Sequence, residues 1–305
     1  MIIDNDNHYP SKVLDILFEP LGVGFVTRAL ISGILLAAVC AMVGVWVITR
    51  GMAFLGEAMS HSMLPGVAIA ALLDIDLVVG AALSSVVMVL ALEGMRTSRD
   101  FGRDTSIGLL FVGLLAIGVI IVSHSASFAT DLTAFLFGDV LAVDQADLLR
   151  LALLVAIVAV VTAGCYRAFL AVTFDERKAH TLGLHPKAAN LAMVVLLAIT
   201  MAGAFSVVGT LLAFGMLVAP SATAMLFVRR VPVAMATAFV LGGVATVVGL
   251  LISWHASTAA GATIAVVAVG MFFLALILRS VVHRFRRSSA AAPTPTKEVP
   301  DVLAH

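Results

Sequence analysis

Long apolar stretches separated by short polar ones set the frame of this chain. The first covers about Phe25 to Ile48, the second Gly51 to Leu73, the third about Leu77 to Met95 and the fourth about Ser106 to His124. A fifth covers about Leu148 to Leu170, and the run from Ala188 to Val228 is long enough for two spans, with a break near Ser206 to Gly209. The last two cover about Ala234 to Trp254 and about Thr263 to Val282. A helix crosses a bilayer with about 20 apolar residues. Lipid offers the backbone no hydrogen-bond partner, so each span is predicted to be helical. The predicted fold is all-α, a polytopic integral membrane protein with eight or nine transmembrane helices. Residues 125–145 are too polar to span and too apolar for a free loop, and they read as a re-entrant or interfacial segment.

The flanks differ from this frame. Residues 1–24 form a polar lead whose piece Lys12–Gly22 is amphipathic and suited to the membrane surface. The transmembrane region is predicted over 25–283. The tail, 284–305, is basic and then rich in Ser, Ala, Pro and Thr, a composition that predicts disorder.

Composition narrows the class. Among 305 residues, 62% are hydrophobic and only 12% are charged, which makes the membrane the solvent for most of the chain. Net charge is zero, so no nucleic-acid partner is expected. Cys40 and Cys165 both lie in apolar runs, which suggests neither a disulfide framework nor a structural zinc site. No basic n-region of a cleavable signal is visible, since Asp4, Asp6, Asp15 and Glu19 crowd the first twenty residues. No Gly-Lys dipeptide occurs, so no phosphate-cradling loop is present, and any ATP hydrolysis is expected on a separate subunit.

Basic residues orient the spans. Arg50, the Arg96–Arg103 group, Arg177, Lys178, Lys187, Arg229, Arg230 and the Arg284–Arg287 group share the cytoplasmic side if nine spans place the N-terminus outside. Lys12 and Arg28 are misfits to that scheme. Asp74, Asp76, Asp131, Asp139, Asp144 and Asp147 then fall at the outer side. Such a face would concentrate cations at an entrance; equally, acids collect where basic residues are excluded.

Candidate chemistry sits in the second run, GMAFLGEAMSHSMLPGVAIAALL. Glu57 and His61 are four residues apart and share one face of a helix. Pro65 has no N–H, so the His61 carbonyl loses its usual backbone donor, and Gly66 adds freedom just beyond. The helix is predicted to break after His61. Two readings compete: a polar pair buried between helices, and a cation site, since Glu oxygen and His nitrogen are ordinary ligands of divalent transition metals. A mid-membrane carboxylate costs about 2.5–3.5 kcal/mol to insert, whereas a helix–helix hydrogen bond returns about 0.6 kcal/mol. Packing alone explains the pair poorly. A second informative stretch is the charged loop from Phe174 to Lys187, with Asp175 and the pattern E-x-x-A-x-x-x-G at Glu176, Ala179 and Gly183.

Taken together these motifs resemble the permeases of the metal-ion ABC importers, the zinc/manganese/iron type. The resemblance rests on RGMAFLGEAMSHSMLPGVA from Arg50 to Ala68, D-T-x-I-G-x-x-F from Asp104 to Phe111 and F-G-D from Phe137 to Asp139. It continues through the loop Phe174–Gly183 and V-G-x-L-L…P-x-x-T-A from Val208 to Ala224. It implies a large-importer-type permease of the bacterial plasma membrane, a homodimer with two cytoplasmic ATPases. It also implies an extracytoplasmic metal-binding protein as donor, and lipid around the spans. The loop would then be the ATPase-coupling loop, and Zn2+ or Mn2+ would be cargo rather than a tightly bound cofactor. No catalytic residue is expected.

Departures from the pattern carry information as well. The family's Asp in the second span is Glu57 here, one methylene longer. Ahead of the last span, Ser257 and Ala259 replace an Asp and a Pro, removing an outer ligand or helix cap for which His255 could substitute. His124 reads as interfacial, and the scattered methionines as packing. Imidazole suits zinc and carboxylate suits manganese; the central His leans the expectation to zinc. An ion-coupled secondary transporter would use a similar pair without a docking loop.

Overall fold

The computed structural model describes residues 24–95, 102–123, 138, 140–174 and 185–290. Among the described residues nine α-helices are traced: α1 Gly24–Thr49, α2 Ala53–Ser62, α3 Leu64–Leu72, α4 Leu77–Met95, α5 Arg103–Ser123, α6 Gln145–Phe174, α7 Pro186–Phe227, α8 Val231–Ala256 and α9 Ala260–Ala290. No strand occurs among the described residues. Eight helical segments are long and apolar enough to cross a membrane, with α7 contributing two. End to end, the short pair α2 and α3 covers Ala53 to Leu72, long enough at about 1.5 Å per residue for a further crossing as one interrupted helix. The all-α, polytopic expectation holds.

α7 shows how the run from Ala188 to Val228 divides. Its helical pattern is broken only at Gly209 (φ 75°, ψ 167°), inside the predicted interval. That conformation is open essentially to glycine alone. Two hydrogen bonds show that the chain doubles back there. Arg50 Nη2 donates to Asn190 Oδ1 at 2.7 Å, and Thr49 Oγ1 donates to Met225 Sδ at 3.3 Å. Both ends of α7 therefore meet the inner end of α1, so its halves run antiparallel. The backbone of Gly138 fits against this turn so closely that a Cβ would overlap the Val208 carbonyl carbon.

α1 is the central post, packed on α6, α7 and α8. Trp46 is fully buried and meets Tyr166 and Phe169 edge-on, with centroids 5.6 and 5.7 Å away. Such pairs add about 0.5–1.5 kcal/mol beyond their area. At the other end of α1, Phe25 lies 6.0 Å from Trp254 of α8, where aromatic rings suit the membrane–water boundary. Beyond Thr49 and Arg50 the chain turns at Gly51 (φ 65°), and the Met52 N–H closes onto the Val47 carbonyl. That glycine turn ends α1 and launches α2.

The outer ends account for one of the two charge misfits, Arg28; Lys12 lies outside the described residues. Arg28 Nε donates to the Val143 carbonyl at 3.0 Å, tying α1 to the short 3-10 turn Val140–Ala142. Asp144 caps α6: its carboxylate accepts from the Asp147 N–H at 2.8 Å, while Asp147 accepts from the Asp144 N–H at 3.3 Å. That reciprocal capping holds the Asp144 carboxyl below its usual pKa, chiefly through the Asp147 N–H. Arg150, which the charge pattern left unplaced, lies 3.8 Å from Asp76 and 3.4 Å from Asp147. The outer face is thus less uniformly acidic than expected. α9 continues to Ala290, into the stretch whose composition reads as a tail.

Candidate metal-ion site

The inner half of the interrupted crossing carries the pair. On α2, His61 Nε2 and Glu57 Oε1 are 3.0 Å apart, as the four-residue spacing requires. Their side chains are 27% and 37% exposed, respectively, so the pair is open on one side rather than sealed in packing. Among the described residues, neither side chain has a hydrogen-bond partner other than its neighbour in the pair. The alternative in which Glu57 bonds to a facing helix finds no counterpart there. Against the imidazole lies the Phe111 ring of α5, 5.8 Å between centroids and tilted by 53°.

The two helices are separated at Met63, and Pro65 and Gly66 lie in the first turn of α3. Met63 itself keeps helical dihedrals (φ −74°, ψ −20°). Two details correct the sequence reading. The His61 carbonyl does have a backbone donor, the Met63 N–H. The next carbonyl, Ser62, accepts from Ser84 Oγ of α4 at 2.6 Å. The joint is therefore closed by a buried hydroxyl from a neighbouring helix, which no local spacing announces.

Gly66 has a packing role beside Pro65. A Cβ on Gly66 would overlap the Gly80 carbonyl oxygen, and a Cβ on Gly80 would overlap that of Gly66. Such backbone-to-backbone approach through small residues is the common mode of helix association in lipid. On the opposite flank, Ser60 Oγ donates to the Gly56 carbonyl at 3.1 Å and contacts Met201 Sδ of α7 at 3.3 Å. α2 is thus held by α7 and α5, and α3 by α4 and α5.

Other sequence candidates sort as follows. Asp175, Glu176, Ala179 and Gly183 lie outside the described residues, as do His124 and Asp139. His255 is exposed, with Nδ1 2.8 Å from the Leu251 carbonyl of its own helix. Where the Asp and Pro are missing, Ser257 ends α8 in the left-handed region (φ 51°) and Ser253 Oγ donates to the Thr258 carbonyl at 2.6 Å. The turn is closed without the acid. No cluster of three or more His, Cys, Asp or Glu suited to a metal occurs among the described residues.

Among the described residues, eight apolar helical spans and an interrupted helix that carries a polar pair define a multi-pass helical protein of the bacterial plasma membrane. The chain belongs to the ABC 3 transport family, which it matches over residues 23–279. It is 33% identical over 253 residues to the manganese transport system membrane protein MntC of Listeria monocytogenes, covering 83% of this chain and 90% of that one. It is 29% identical over 273 residues to the chelated iron transport system membrane protein YfeD of Yersinia pestis, covering 89% and 91%. Among solved structures it resembles a chain of PsaBC from Streptococcus pneumoniae in complex with Fab, at TM-score 0.77 and 30% identity over 86% of this chain and 95% of that one.

Proposed function

We propose that the chain is the permease subunit of an ATP-driven importer of divalent first-row transition metal ions, with Glu57 and His61 as pathway ligands. The observation that carries this reading is the open Glu57–His61 pair, 3.0 Å apart and without another hydrogen-bond partner among the described residues. An ionisable pair inside a membrane span is by default functional. Two ligands do not fill a coordination sphere, and a second copy of the chain in a homodimer would bring the same two. Water completes the rest. Binding must strip some hydration yet release the ion, which weak, divided ligation favours.

Manganese is the cargo best supported, by the carboxylate ligand and by the name of the relative MntC, with iron next through the name of YfeD. Zinc, the expectation raised by a central imidazole, is the alternative within the same site. An extracytoplasmic metal-binding protein would deliver the ion. A cytoplasmic ATPase would act through Asp175, Glu176, Ala179 and Gly183, since the chain itself carries no phosphate-cradling loop.

The test is metal uptake by the full importer. His61→Ala and Glu57→Gln are each expected to abolish accumulation of manganese and zinc while the protein still reaches the membrane. Glu57→Asp keeps the charge and should retain transport. Normal uptake of both metals by both loss variants would place the ion elsewhere.

A further inference from the structure

What surrounds the pair limits which ions can use it. α5 lies along the interrupted crossing on one face, at Gly108, Phe111 and Gly118. A Cβ on Gly108 would stand 3.9 Å from the tip of the Phe54 ring. Phe111 meets the His61 imidazole at 5.8 Å. A Cβ on Gly118 would come within 2.8 Å of Leu64 Cγ and 3.0 Å of the Pro65 nitrogen. Gly108, Phe111 and Gly118 recur at helical spacing, so sliding or turning α5 would drive it into the joint. From Ile107 to Val122 this helix has no side-chain oxygen or nitrogen. That stretch therefore brings the site no side-chain ligand and no side-chain anchor for water, only a ring.

We propose that Phe111 is a specificity-determining residue: an apolar wall beside His61 that obliges the ion to give up water on that side. This rests on the reading that Glu57 and His61 hold the ion. Magnesium dehydrates reluctantly and keeps several waters in its octahedral shell. Imidazole, in contrast, suits transition metals. A wall that cannot hydrogen-bond to retained water penalises magnesium more than manganese or zinc. The carboxylate alone would not make this distinction, because magnesium is itself a carboxylate-binding ion.

The experiment measures manganese uptake by cells expressing the full chain with its ATPase, in rising magnesium. For Phe111→Ala, the magnesium concentration that halves uptake should fall by about tenfold, the lower range seen when groups around a metal's ligands are changed. Phe111→Leu restores an apolar wall and should keep the native ratio of magnesium to manganese. If Phe111→Ala does not reach the membrane, Phe111→Thr brings a hydroxyl to the same face and should show the same fall. An unchanged magnesium sensitivity, or a uniform loss of uptake with the ratio intact, overturns the inference and leaves Phe111 as packing. Uptake that survives His61→Ala overturns instead the assignment of the site beneath it.

Discussion

At the residue scale, the joint after His61 is maintained by contacts of different cost. Ser84 is buried, and its hydroxyl donates to the Ser62 carbonyl. Ser84→Ala should lower stability by about 1 kcal/mol, the net value of an ordinary hydrogen bond. Gly80 has no room to give, since a Cβ there overlaps backbone rather than a flexible side chain. Gly80→Ala should therefore cost more, about 1–3 kcal/mol, as overpacking does. Thermal unfolding of the purified variants checks the order, and a Gly80→Ala protein as stable as Ser84→Ala would refute it. The pair itself was legible in the sequence, because Glu57 and His61 lie within one helical turn and Pro65 announces the break. Ser84 and Gly80 were not. They come from another helix, and small residues in an apolar span look alike until the facing backbone is known.

At the element scale, length alone divides α7, because a bilayer accommodates only about 20 helical residues per crossing. The turn near Gly209 was legible on that ground, but the reason for its tightness was not. Gly138 approaches the same backbone from a part of the chain far away in sequence. Replacing Gly209 by Ala forces a side chain into a region that costs about 1–3 kcal/mol to occupy. Gly209→Ala is expected to lower the melting temperature without altering the Glu57–His61 distance, since Met201 and Ser60 meet well before the turn. An unchanged melting temperature would show that the turn relaxes freely. α5 and α6 illustrate the opposite limit. Their most apolar windows are each only 22% buried, so hydropathy identifies them while saying nothing of which faces meet protein.

At the scale of the whole molecule, sidedness connects the charge pattern to transport. Arg50, Lys187, Arg229 and Arg230 fall at one end of the bundle, and Asp76, Asp144 and Asp147 at the other. The hydrogen bond from Arg50 to Asn190 and the Arg150–Asp76 ion pair mark those two ends by contact rather than by the distribution of basic residues. Arg28 and Arg150 are exceptions with local explanations, one donating to the Val143 carbonyl and one paired with acids. Exposed pairs of this kind contribute little stability, so their presence does not weaken the orientation. Ile75, in the turn between α3 and α4, and Ala188, in the first turn of α7, are both exposed and lie at opposite ends. In a Cys165→Ala background, with Cys40 buried, Ile75→Cys should react with a membrane-impermeant thiol reagent applied to intact cells. Ala188→Cys should react only in inverted vesicles. The reverse pattern would turn the pathway around and place the pair's entrance at the basic face, against the direction of import.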